Sequence, residues 1–197
     1  MFHTVKLLNA FCCFWCMTAN NPWHTVGLGD KSPEIVNAII EIPKNSKLKY
    51  ELDKKSGLLK LDRFLYAAVH YPGDYGFLPQ TLWFDGDPID IVILTSESVV
   101  PMTLAEVRII GVMRMLDGDE RDEKLIGVYN GDPRCAELKN ISDIPRHQMT
   151  ELKHFFETYK ELQGKKCKIL EIAGRREALQ DIRESQKMYK KMLKEQA

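Results

Sequence analysis

The chain lacks any apolar run approaching the ~18 residues that a membrane-spanning helix requires, so no membrane partner is expected. It also lacks a charge excess: Lys+Arg and Asp+Glu number 28 each among 197 residues. A balanced chain has no general basic footprint for nucleic acid, although a local basic pocket stays open. Cysteine is scarce and unevenly placed. Cys12, Cys13 and Cys16 cluster near the N-terminus, while Cys135 and Cys167 stand alone. An odd, irregular set does not make a disulfide framework, which points to a reducing, cytoplasmic setting. Cys13-Phe14-Trp15-Cys16 has C-x-x-C form but not the strand-then-helix context of a redox motif. His24 and His154 have no metal-ligand spacing. No internal repeat or low-complexity linker divides the chain.

The N-terminus needs separate treatment. Lys6 followed by the apolar stretch Leu7–Met17 outlines a signal peptide, but Met17-Thr18-Ala19 has no small residue at its first position. A start at Met17 gives a polar beginning. Residues 1–21 are therefore read as an extension, with Met17 the expected start, and residues 22–197 as one domain.

Periodicity divides that domain into strands first and helices second. Glu34–Ile42 is β-branched and stops at Pro43, which predicts a strand. Leu48–Leu52 alternates, Lys55-Ser56-Gly57 is a turn signal, and Leu58–Leu61 returns, which predicts a hairpin. Tyr71–Pro79, rich in Gly, Pro and aromatics, reads as an ordered loop. Ile89–Leu94 is a buried strand; Glu106–Met115 and Leu125–Tyr129 are two more. Asp143-Ile144-Pro145 predicts a helix start with Asp143 as cap. Met149, Leu152, Phe155, Tyr159 and Leu162 follow at helical spacing until Gly164. A second helix is expected over 176–194. This order predicts an α+β fold, a small closed sheet with helices packed against it.

Asp85-Gly86-Asp87-Pro88-Ile89-Asp90 is the most informative stretch. Three carboxylates fall within one turn and the start of a strand, and such crowding needs either water or a cation. Oxygen-only donors favour Mg²⁺, Mn²⁺ or Ca²⁺. A second acidic run spans Asp117–Lys124. Lys49, Glu51, Arg63 and Glu41 lie on or beside the predicted hairpin. Tyr71 and Tyr75 lie in the Gly/Pro loop, and Tyr159-Lys160 near a helix end. Each group alone has a plainer reading: a solvated turn, a hairpin tip, the wet side of a strand, or core packing. Together they are the parts that phosphoryl transfer uses, namely carboxylates for metal, Lys and Arg for an anion, and tyrosine donors.

In this order these segments resemble the family I soluble inorganic pyrophosphatases, across nearly everything after Met17. Asp85–Ile91 (D-G-D-P-I-D-I) fits the family's D-x-D-P-x-D signature. Around it stand I-E-I-P (Ile40–Pro43), K-Y-E-L-D (Lys49–Asp53), L-D-R (Leu61–Arg63), Y-P-G-D-Y-G-F (Tyr71–Phe77), D-x₄-D-x-K (Asp117–Lys124) and H-F-F-E-T-Y-K (His154–Lys160). The resemblance implies hydrolysis of diphosphate to two orthophosphates by a metal-activated water, with Mg²⁺ as cofactor and Mn²⁺ or Zn²⁺ as substitutes. It implies Asp85, Asp90 and Asp122 as metal ligands, with Asp117 and Glu41 for further metals, and Asp87 as proton acceptor. It implies Lys49, Arg63, Tyr75, Tyr159 and Lys160 as the substrate clamp, Lys124 and Tyr71 as further pocket members, and Glu51 as support. It also implies an OB-like barrel with flanking helices and a cytoplasmic homo-oligomer, a hexamer if bacterial.

The departures are small. Gly118-Asp119-Glu120-Arg121 stands where the family often has a Gly-Glu pair, Asp74 stands where Asn is also common, and nothing in the family pattern matches residues before Met17. Two other classes share parts of this pattern. Leu82–Asp87 mimics the D-x-D of haloacid-dehalogenase-like phosphatases, which need a parallel, alternating βα sheet with the motif after its strand. An OB-like barrel binding nucleic acid would need a basic groove with exposed aromatics.

Overall fold

The computed structural model describes residues 21–195. The C-x-x-C motif and the expected start at Met17 lie outside the described residues. In chain order the elements are α1 (Pro22–Thr25), β1 (Ile35–Ile42), β2 (Leu48–Leu52), β3 (Leu59–Phe64), β4 (Asp74–Phe77), β5 (Asp90–Leu94), β6 (Leu104–Asp117), β7 (Glu120–Arg121), β8 (Lys124–Tyr129), α2 (Arg146–Thr158), β9 (Cys167–Gly174) and α3 (Arg175–Glu195).

β1 pairs antiparallel with β4 on one side and with the first part of β6 on the other. β4 pairs with β5, β5 runs parallel to β8, and β8 pairs with β6. The path therefore closes into a five-stranded barrel with flanking helices, an α+β fold. Closure removes the free sheet edges that would otherwise invite aggregation. β5–β8 is the one parallel pairing among the described strands. The alternating βα sheet of the dehalogenase-like alternative is thus excluded as the architecture.

The strand sequences explain the packing. Ile91, Ile93 and Leu125 join one buried cluster with Ala178, Leu179 and Ile182 of α3. Val92, Leu94, Ile126 and Val128 join another with Leu152, Phe155 and Phe156 of α2. Both faces of β5 are covered, which is why its sequence is apolar without alternation. Gly76 lets β4 close on β1: a Cβ there would stand 2.0 Å from the Ile39 carbonyl oxygen.

Three expectations need correction. Tyr71–Pro79 is not simply a loop, because Asp74–Phe77 forms β4, paired on both sides. Asp143 does not cap α2; it closes a capping box with Asn140 on a separate 3-10 turn, and Pro145 precedes the helix. Pro has no side-chain acceptor, so the cap reading fails there. The helical run stops at Thr158, and Leu162 falls in a further 3-10 turn closed by Gly164 at φ 72°. β9 was not anticipated. Its pairing with the far half of β6 makes it a strand.

Candidate active site

The parallel register of β5 and β8 builds the site, because it sets Asp90 directly beside Lys124. The two segments that precede these strands, Asp85–Ile89 and Asp117–Glu123, must then arrive at the same end of the barrel. The β2–β3 hairpin and the C-terminal end of α2 also reach that end. Between them lies a cavity of about 480 Å³.

Its wall holds Asp85, Asp87 and Asp90; Asp117, Asp122 and Lys124; Glu41, Lys49 and Glu51; and Tyr71, Tyr75, Tyr159 and Lys160. Every site residue anticipated from sequence is on that wall except Arg63. Arg63 stands opposite Lys49 in the hairpin register, and its Nε has no hydrogen-bond partner.

The turn that presents the carboxylates is set by Gly86, whose φ of +85° a residue with a Cβ rarely adopts. The Asp87 amide donates to Asp85 Oδ1 at 3.0 Å, and the Trp83 amide donates to the Asp87 carbonyl at 2.7 Å. The turn is thereby closed on itself before β5 begins.

Cations stand between the carboxylates. The buried Lys124 ammonium contacts both Asp90 and Asp122. Lys160 pairs with Asp117, Lys49 with Glu51, and Lys54 with Asp87. Asp90 Oδ2 also accepts the Tyr75 hydroxyl at 2.5 Å. Burial works to lower the Lys124 pKa, but its acidic neighbours, Asp90 first, outweigh it and hold the group well above its ordinary value. Burial raises Asp117, yet the hydrogen bond and charge of Lys160 bring it below the usual carboxylate range.

Two carboxyls are shifted the other way. Glu41 is pushed up to about 8, by burial first and by the Asp90 charge second. Its Oε1 accepts the Leu52 amide at 2.7 Å, which anchors the hairpin to β1. Asp85 is pushed up to about 6 by burial and by the nearby charges of Asp90 and Asp87, against the pull of the Asp87 amide. Burial also drives the phenols of Tyr71, Tyr75 and Tyr159 upward, so all three remain neutral donors at ordinary pH.

The donor set fits a hard divalent cation. It is oxygen only, and the pair Asp90 and Asp122 already converges on one positive charge, that of Lys124. Among the described residues no three His, Cys, Asp or Glu side chains are gathered tightly enough to enclose a metal by themselves. Mg²⁺ does not need such a cage: it keeps waters and takes one or two carboxylates plus substrate phosphate oxygens.

Several wall residues escaped the sequence reading. Lys54, Lys55 and Lys60 add positive charge from the hairpin, and Trp23 of α1 lines the mouth beneath Lys54 Nζ, 5.3 Å from its ring. The Lys54-Lys55 pair at the hairpin turn was a local signal, but only the fold shows that it faces Asp87. Cys167 Sγ lies 3.5 Å from Asp117 Oδ1, directly across the β6–β9 ladder.

A sequence profile of the inorganic pyrophosphatase family matches residues 38–190. Soluble inorganic pyrophosphatase 2 of Chlamydomonas reinhardtii is 46% identical over 176 residues, covering 89% of this chain and 92% of the relative. The soluble inorganic pyrophosphatase of Oryza sativa subsp. indica is 43% identical over 171 residues, covering 87% and 80%. Among solved structures, the inorganic pyrophosphatase from Thermus thermophilus superposes with a TM-score of 0.82 at 41% identity, covering 88% of this chain and 99% of that one.

Proposed function

The chain belongs to the inorganic pyrophosphatase family and is an inorganic diphosphatase; we propose that it hydrolyses diphosphate to two orthophosphates by attack of a metal-activated water, with Mg²⁺ as the metal. The observation that carries this reading is the meeting of six aspartates, six lysines and four tyrosines on the wall of one cavity. Carboxylates alone would suit a cation store, and lysines alone an anion trap. Both together suit an anion that arrives with its cations.

Asp85, Asp90 and Asp122 would hold Mg²⁺, with Asp117 and Glu41 serving further ions and Mn²⁺ or Zn²⁺ as substitutes. When bound, the metal supplies a water of lowered pKa and neutralises phosphate oxygens. Asp87 takes the proton from the attacking water at a carboxylate oxygen. Its carboxylate is suited to this because it is half-exposed at the cavity lip and, among the described residues, is paired with Lys54 alone. Water oxygen bonds to one phosphorus as the bridging oxygen leaves with the other phosphate. Lys49, Arg63, Tyr75, Tyr159 and Lys160 hold the phosphate oxygens through that exchange. Lys124 and Tyr71 complete the pocket, and Glu51 fixes the Lys49 ammonium. Ion pairs such as Lys160–Asp117 open when phosphate arrives, since a phosphate oxygen offers the ammonium an equivalent partner.

We assign residues 22–197 to the catalytic domain, in a cytoplasmic homo-oligomer. Among the described residues Cys135 and Cys167 are free thiols, which suits a reducing compartment. Among the same residues no helix is long and apolar enough to cross a membrane. Light scattering of the purified chain reads the oligomeric state directly.

The experiment is phosphate release from diphosphate with Mg²⁺ titrated from none to millimolar, in the full chain and in a chain begun at Met17. Rapid, Mg²⁺-dependent release with little turnover of p-nitrophenyl phosphate is the expected result. A folded protein that releases no phosphate would overturn the reading.

A further inference from the structure

Two acidic segments supply the site, and one contact outside the cavity ties them together. Glu123 sits between Asp122 and Lys124, yet its side chain turns away from the cavity wall and is 2% exposed. Its Oε2 accepts the indole N–H of Trp83, from a residue 40 positions away. Its Oε1 accepts Arg121 Nε at 2.7 Å and Arg121 Nη2 at 2.5 Å. Arg121 in turn lies over the ring of Phe84, with its guanidinium carbon 4.7 Å from the centroid.

Trp83 is itself fixed. It is 3% exposed, and its main-chain N–H and C=O bond Asp87 and Gly86, closing the turn that carries Asp85 and Asp87. A shift of the indole must therefore move that turn. A shift of Glu123 must likewise move Asp122 and Lys124, its chain neighbours. The β5–β8 pairing begins at Asp90 and Lys124 and runs on from there, away from both segments. Before that point the strands have not begun, and no ladder holds Asp85 at a set distance from Asp122.

We infer that Trp83, Glu123 and Arg121 form a clamp that sets the spacing between the two carboxylate segments, and that they are positioning residues for the reaction. The inference rests on the reading of Asp85, Asp90 and Asp122 as metal ligands. A buried carboxylate is costly unless each oxygen is satisfied. Glu123 has one partner from its own segment and one from the other, so its most favourable state is the one with the segments docked. Outer partners of this kind orient ligands that they do not touch.

The test compares wild type, Trp83→Phe, Glu123→Gln and the double variant, all as full chains. Phe keeps a ring but loses the N–H; Gln keeps an acceptor but loses the charge. Backbone hydrogen exchange of the metal-free proteins is read first. Trp83→Phe should speed exchange in 117–124 as well as in 83–90, because release of one segment frees the other. Calorimetric Mn²⁺ binding should weaken about 10-fold, and the double variant should be no worse than the more affected single one. Unchanged exchange in 117–124 with unchanged Mn²⁺ affinity in folded Trp83→Phe would overturn the clamp. If Trp83→Phe does not fold, Arg121→Gln, at a half-exposed position, is read by the same two measurements and the same criteria. Wild-type phosphate release is assayed alongside: loss of that activity with coupled exchange intact would fault the metal-site reading and leave the clamp standing.

Discussion

The Tyr75 hydroxyl donates to Asp90 Oδ2 at 2.5 Å, joining β4 to the first residue of β5 at the floor of the cavity. Burial and the Asp90 charge keep that phenol neutral, so the contact is a directed hydrogen bond to a charged acceptor. Tyr75→Phe keeps the ring, which packs 5.5 Å from Tyr71, and removes only the donor. Losing one hydrogen bond to a charged group costs about 1.5–3 kcal/mol. The variant should fold, and kcat/KM for diphosphate should fall about 10-fold or more at fixed Mg²⁺. Steady-state kinetics beside a thermal melt checks it; an unchanged kcat/KM would remove Tyr75 from the substrate clamp.

Asp87→Asn tests the proton acceptor. The amide keeps the size of the side chain and can still meet Lys54, but it cannot take a proton. General-base losses run about 10²–10⁴-fold. Turnover should drop by that order while the melting temperature stays near wild type. Near-normal turnover would assign the proton to another group.

Much of this could be read from the chain, and the limits have physical causes. β1, β5, β6 and β8 were legible because β-branched and apolar residues run together with turn signals at their ends. β4 was not, since Asp74-Tyr75-Gly76-Phe77 carries a glycine and no alternation; its strand character comes from neighbours on both sides. Asp143 misled because an Asp before Pro resembles a helix cap, and its carboxylate instead satisfies the Lys139 and Asn140 amides. The site residues were legible through their motifs. Their ion pairs were not, because Lys54–Asp87 and Lys160–Asp117 join positions far apart in sequence. The Trp83–Glu123 bond left no local trace at all, since both residues sit beside stronger motifs.

Lys124→Met tests the cation between Asp90 and Asp122. The side chain is 3% exposed and its ammonium contacts both carboxylates. Removing it leaves two like charges facing each other with no counter-ion. Breaking a buried pair costs about 3–5 kcal/mol, or very roughly 10 °C in melting temperature for a chain of this size. The metal-free variant should melt lower by that amount. Added Mg²⁺ should restore more of its stability than it adds to wild type. A metal-free melt equal to wild type would show that Lys124 does not balance these carboxylates.

Glu41 gives the pH dependence. Its carboxyl stands at about 8 in the folded chain, against an ordinary value of 4.5, through burial first and the Asp90 charge second. A folded state with the higher pKa binds more protons than the unfolded state between those two values, so stability falls as pH rises through that window. The Glu41 contribution should therefore be fully present below about pH 4.5 and lost as pH passes 8. Other carboxylates act in the opposite sense: Asp117, held low by Lys160, contributes stability above its unfolded pKa and loses it only in acid. The diagnostic is thus a difference between proteins. Metal-free Glu41→Gln should melt close to wild type at pH 5, where Glu41 is protonated, and above it at pH 8.5, where wild type must bury a charge. Urea midpoints at the two pH values measure this directly. Mg²⁺ should narrow the gap at pH 8.5, because a nearby cation favours the ionised carboxylate. Equal midpoints for the two metal-free proteins at both pH values would mean that Glu41 is ionised in the folded chain well below neutrality, and that its burial does not govern its charge.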